Sequence, residues 1–151
     1  MSAGTKGLWT LFIRKGKVFV PTTAKTEAGY YLGIEPVAVV DATDRAAVKA
    51  AFLDAVSRGN PIVPTPSRSN FPPDPLLKYA NVKSVSELAK SAHSWQLTKY
   101  ATEYVAAPDR PGKYGGSEQD DGKKQVFPAD EPMDRIVSRL VDHALAASGT
   151  G

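Results

Sequence analysis

The sequence predicts an α+β fold: a mainly antiparallel sheet with two to three helices packed on one face, in a single domain spanning residues 1–151. Three observations carry this expectation. Strand-like alternation occurs at both ends of the chain, with Val18 and Val20 set against Lys17 and Phe19, and Trp95, Leu97 and Lys99 set against Gln96 and Thr98. Two segments, near residues 44–58 and 130–147, carry apolar stripes at helical spacing. No internal repeat or sharp change of composition divides the chain, and its predicted order is β-β-β-α-loop-α-β-(β)-α.

Trp9–Arg14 and Lys17–Val20 read as two strands about a turn at Lys15-Gly16, where glycine can supply a positive φ. Pro21 is expected to end the second strand, because proline cannot donate to a ladder, and Thr22–Gly29 reads as a polar connection. Tyr30–Val40 reads as a third strand. Gly33 marks a bulge or close approach within it, and Pro36 marks an edge position or a break in the ladder.

The helix that follows can be capped by Asp41 or Thr43, with Asp44 in its first turn. Val48, Phe52 and Val56 repeat every four residues, flanked by Ala51, Leu53 and Ala55. Arg45, Lys49, Asp54 and Arg58 take the wet face. Gly59-Asn60-Pro61 is the stop.

Six prolines fall within the fifteen residues Pro61–Pro75, which predicts a stiff surface loop presenting Arg68, Asn70 and Phe71, with Ile62 and Val63 toward the core. Leu76–Ala80 reads as one helical turn. Ser84-Val85-Ser86-Glu87 matches a capping box that opens a helix to Ala92. Tyr100–Ala106 either pairs with the Trp95–Lys99 strand or continues it. Residues 108–124, rich in glycine and charge, read as a mobile loop. Gln125–Phe127 is a short strand. Asp130 can cap a last helix whose stripe is Ile136, Leu140 and Ala144 or Leu145, broadened by Val137 and Val141. Residues 1–7 and 148–151 are expected to be flexible ends.

Composition narrows the function. The 151 residues are 42% hydrophobic and 23% charged, as in an ordinary globular protein. No apolar run approaches the ~20 residues of a membrane span. The N-terminus lacks the apolar core and cleavage site of a signal peptide, so a cytoplasmic location is expected. The absence of cysteine excludes disulfides, thiolate metal sites and thiol nucleophiles. Two histidines at unrelated positions give no metal-binding pattern, and no cofactor is expected. The net charge is +3, but unevenly placed: Met1–Thr26 holds five basic and no acidic residues, while Glu118–Asp134 is acidic.

No catalytic signature emerges. Ser91, His93, Ser94 and Trp95 put a base beside hydroxyls, but without a nucleophile elbow, and the plainer reading is a histidine at a helix C-terminus. His143 sits at an intermediate angle on the last helix. Asp41/Asp44 and Asp130/Asp134 lie at helix starts, where capping explains them. Gly112 and Gly115-Gly116 match no phosphate loop. The expectation is therefore a protein that is not an enzyme. Trp95, Lys99, Tyr100 and Tyr104, preceded by Lys78, Lys83 and Lys90, interleave aromatics with cations. That is the pattern of a single-strand nucleic-acid platform or of a tyrosine-rich core strand. Together with Arg68, Asn70 and Phe71 they are also the residue types that populate protein interfaces.

A set of short motifs runs through residues 9–97: Trp9-x-x-Phe12-Ile13, Val20-Pro21-Thr22, Gly29-x-x-x-Gly33-Ile34-Glu35-Pro36-Val37, the run from Arg58 to Pro66, the run from Ala80 to Leu88, and Trp95-Gln96-Leu97. This pattern resembles small uncharacterised bacterial proteins of the type found as immunity proteins of contact-dependent toxin systems. The resemblance implies a non-catalytic binding protein that masks a partner toxin, and it assigns no residue a role. The expected partner is another protein, with nucleic acid as the alternative. The expected contact residues are Arg68, Asn70, Phe71, Trp95, Lys99, Tyr100 and Tyr104, with the acidic Glu118–Asp134 side as a further contact surface for a basic toxin.

Overall fold

The computed structural model describes residues 5–67, 75–83, 92–111, 117–119 and 121–147. Its strands are β1 (Gly7–Arg14), β2 (Lys17–Thr26), β3 (Tyr31–Asp41), β4 (Ile62–Val63), β5 (His93–Lys99), β6 (Glu103–Pro111), β7 (Ser117–Gln119) and β8 (Gln125–Pro128). Its α-helices are α1 (Arg45–Ser57), α2 (Leu76–Ala80) and α3 (Met133–Ala147). The fold class is α+β, as expected. The sheet order is β3-β2-β1-β5-β6-β7, with β4 beside β2 and β8 beside β6. All pairings are antiparallel except the short parallel contact of β4 with β2. Among the described residues, no helix is long and apolar enough to cross a membrane.

The β1–β2 turn forms where the sequence places it, with Lys15 at φ 50° and Gly16 at φ 77°. The two strands then project alternate residues to opposite faces. Leu11, Ile13, Val18 and Val20 enter the main core beneath α1 and α3, while Phe19 meets Leu76, Ala80 and Val82 on the other face, where α2 lies. Phe52, Leu11, Leu97, Ile136 and Leu140 are fully buried, and each stabilises the fold by roughly 1.5–3 kcal/mol relative to exposure. The helices are joined at the surface as well. Arg45 pairs with Asp142 and donates to the Ser138 hydroxyl, and Lys49 reaches Asp134 at 3.0 Å.

Several details differ from expectation. β2 runs through Pro21 to Thr26 rather than stopping there. Its ladder with β1 ends at Phe12–Phe19, so the amide that proline lacks has no β1 partner to lose. Opposite Pro21 the β3 register shifts, from Pro21–Val37 to Thr22–Ile34, leaving Glu35 and Pro36 as the extra residues. The break thus falls at Pro36 as read, while Gly33 continues the ladder beside Thr23. The α1 cap is Asp44, whose carboxylate accepts from the Ala47 amide at 3.1 Å. Asp41 instead pairs with Lys17 across the sheet.

Ile62 is 66% exposed, not a core residue, because β4 bonds to β2 only at the sheet margin. Residues 109–111 and 117–119 are paired strands rather than loop. The α3 helix begins at Met133, later than a cap at Asp130 implies. His93 opens strand β5 instead of closing a helix. The expected helix from Val85, apart from Ala92 at its end, and the loop residues Arg68, Asn70 and Phe71 lie outside the described residues.

A lysine-lined concavity at one end of the sheet

Antiparallel pairing brings distant parts of the chain together at one end of the sheet. The start of β1 meets the end of β5, with Gly7 opposite Lys99 and the Lys6 amide donating to the Lys99 carbonyl at 2.6 Å. The end of β5 turns into β6, placing Lys99 opposite Tyr104. The end of β2 meets β4, where the Lys25 amide donates to the Pro61 carbonyl at 2.9 Å. The exit of α1 and the first turn of α3 cover the same end. These five approaches border an open concavity of about 470 Å³.

Its floor is set by Asn60. β1 and β2 no longer pair here, and the Asn60 side chain fills the gap between them. Its Oδ1 accepts from the Leu8 amide at 3.3 Å, and its Nδ2 donates to the carbonyls of Leu8 at 2.9 Å and Thr23 at 3.0 Å. Asn60 can reach this position because α1 stops just before it: Gly59 adopts φ +69°, a left-handed conformation that glycine takes without strain. The Trp9 indole seals the adjoining wall, and its Nε1 donates to the Gly59 carbonyl at 3.1 Å. Gly7 leaves the room that the indole occupies, since a Cβ there would stand 2.6 Å from Trp9 Cη2.

The rim is basic and partly apolar. Lys6, Lys25 and Lys99 line it, together with Tyr104, Met133 and the exposed Ile62. No carboxylate is among the described residues that line it. The Lys99 ammonium lies 5.9 Å from the Tyr104 ring centroid, and that of Lys25 lies 6.0 Å from the Tyr31 ring. Burial pushes the Tyr31 phenol above its ordinary pKa.

A second polar cluster lies at the β3 edge, where α2 docks. Glu35 accepts from Lys78 Nζ at 2.8 Å and from the Tyr79 hydroxyl at 2.9 Å. The Lys78 bond, chiefly, holds the Glu35 carboxyl below its ordinary range, and the same contact raises Lys78. Every member is solvent-accessible, and the cluster ties α2 to β3.

Of the residues singled out from the sequence, the structure brings Lys99 and Tyr104 together at the concavity. Tyr100 is half-buried just beyond Lys99. Trp95 is 4% exposed and Tyr104 8%. Trp95 packs in the main core and stacks with His143 at a centroid distance of 6.2 Å. Neither ring has a free face on which a base could stack. Sequence reasoning missed Lys6, Lys25, Trp9 and Asn60 as partners. The one available signal was the acid-free basic stretch Met1–Thr26, which contains three of the four.

The chain matches no family model, and no curated protein is similar to it in sequence. Its fold does have counterparts. A protein of unknown function from Neisseria meningitidis, NMB0488, superposes with a TM-score of 0.64 at 13% identity, covering 97% of this chain and 99% of that one. A chain of the CdiA-CT/CdiI toxin and immunity complex from Yersinia pseudotuberculosis superposes with a TM-score of 0.58, also at 13% identity, covering 93% and 95%. The architecture described here is shared by this chain, the Neisseria protein and a chain of that complex.

Proposed function

We propose that this chain is a non-enzymatic, cytoplasmic bacterial binding protein of immunity type, which masks a partner toxin by covering part of its surface. The observation that carries the reading is the near full-length likeness of its fold to a chain of a toxin and immunity complex. The concavity is in keeping with it. Asn60 and the Trp9 indole, the groups that shape its floor and wall, are engaged by the protein's own backbone. The rim offers cations and apolar surface, which suit recognition. Masking needs neither a cofactor nor a reacting group, only an interface of sufficient area and complementarity.

The test is co-expression of this chain with the toxin domain encoded beside it. Protection of growth, with a one-to-one complex of the two proteins on size-exclusion chromatography, is the expected outcome. Unchanged toxicity with no complex would remove the immunity reading.

A further inference from the structure

We infer that the concavity bounded by Lys6, Lys25 and Lys99 is the docking point for an acidic segment of the partner protein, one that inserts an aspartate or glutamate side chain between the lysines. The inference rests on the immunity-type reading and adds to it the location and chemistry of contact.

Three observations favour this occupant. First, the three lysines come from three separate places in the chain, and the sheet register gathers them at one opening. None takes part in an ion pair among the described residues, whereas Lys17, Lys49 and Lys78 do. Like charges gathered without counter-charges raise the local positive potential, which an incoming carboxylate lowers. Second, the opening is a concavity of about 470 Å³, a shape that takes one or a few side chains rather than a flat face. Third, Met133 and the exposed Ile62 line it beside the lysines, so the aliphatic stem of a glutamate and its neighbours find apolar contact next to the charges.

A nucleic-acid strand fits less well. The aromatic side chains at the opening, Trp9 and Tyr104, are 5% and 8% exposed, so base stacking has no platform. No arginine among the described residues lines the opening to grip a phosphate bidentately. The site favours a compact carboxylate held by point charges.

The experiment uses the full chain and a short rhodamine-labelled glutamate–glycine peptide, followed by fluorescence anisotropy at low and physiological salt. Saturable binding is expected, and it should weaken by about tenfold or more in the double variant Lys25→Glu/Lys99→Glu. The same change of charge at Lys15 and Lys124, away from this end of the sheet, should alter binding by less than about twofold. Circular dichroism checks folding, and Lys25→Gln/Lys99→Gln serves if the reversal does not fold.

Equal weakening by both double variants, or no saturable binding, overturns the inference. So does a single-stranded oligothymidylate that binds at the same lysines more tightly than the peptide. The growth-protection assay separates this from the wider reading. If the chain protects and Lys25→Glu/Lys99→Glu protects equally, only the acidic docking point fails. If the peptide binds at the lysines but no neighbouring toxin is neutralised, only the immunity reading fails.

Discussion

Asn60 exchanges two hydrogen bonds with the backbone of Leu8, accepting from its amide at 3.3 Å and donating to its carbonyl at 2.9 Å, as a paired strand residue would. A third bond, from Asn60 to the Thr23 carbonyl, makes one side chain the bridge between β1 and β2 where their own ladder has ended. Asn60→Ala leaves these backbone groups without their partner in a half-buried setting. The expected loss is about 2–3 kcal/mol, near the cost of leaving buried polar groups unsatisfied. Urea denaturation reads it directly; an unchanged midpoint would mean that water replaces the amide without loss.

Gly7 and Trp9 are coupled by space. A methyl group at position 7 would overlap the indole ring at Cη2. Gly7→Ala is therefore expected to push the indole from its place against Gly59 and to destabilise the protein by about 1–3 kcal/mol, the usual cost of overpacking. Near-ultraviolet circular dichroism should change, because the Trp9 environment changes. A spectrum and stability matching the parent would show that the wall of the concavity yields freely.

Phe52 is fully buried where α1 meets the sheet. Phe52→Ala removes its contacts and leaves a cavity, for an expected loss of about 3–5 kcal/mol. The neighbouring exposed Asp54→Ala should stay within about 1 kcal/mol, since its pair with Arg58 is a surface ion pair. Comparing the two unfolding midpoints checks whether α1 stabilises through its stripe or through its charges.

The α1–α3 contact carries an acid-side pH dependence. The hydrogen bond from Arg45, chiefly, holds the Asp142 carboxyl below its ordinary pKa. A carboxyl depressed in the folded state contributes stability above its unfolded pKa, near 4. It loses that contribution as pH falls through the lower, folded value. Asp142→Asn should therefore be less stable than the parent at neutral pH, and the gap should close below roughly pH 4. It should also narrow with added salt, because the pair is exposed. A gap independent of pH would assign the effect to packing instead.

Much of the fold could be read before the structure was known because it rests on local rules. The Lys15-Gly16 turn, the α1 stripe with its glycine stop, and the α3 stripe each follow from periodicity or from φ restrictions that act within a few residues. The reading failed where a distant partner decided the outcome. Pro21 does not end β2, because the strand on one side of it has already diverged. Ile62 looks apolar enough for the core but lies on the margin, because β4 attaches to the outside of the sheet end. Asp44 rather than Asp41 caps α1, because Asp41 is drawn to Lys17 across the β2–β3 ladder.

The candidate site was legible only in fragments: Lys99 and Tyr104 as an interleaved pair, and a basic N-terminal stretch with no acid in it. By itself the sequence determined where most of the strand segments lie, which faces of the helices are apolar and where charge accumulates. These depend on side-chain type and spacing, which act over single turns and pleats. The tertiary structure alone decided that Lys6, Lys25 and Lys99 share one opening and that Asn60 closes its floor. It also decided that Trp95 faces the core instead of a ligand. The reason is that antiparallel register, set by the burial of one whole face, brings together residues as much as 93 positions apart: the Lys6 amide bonds to the Lys99 carbonyl.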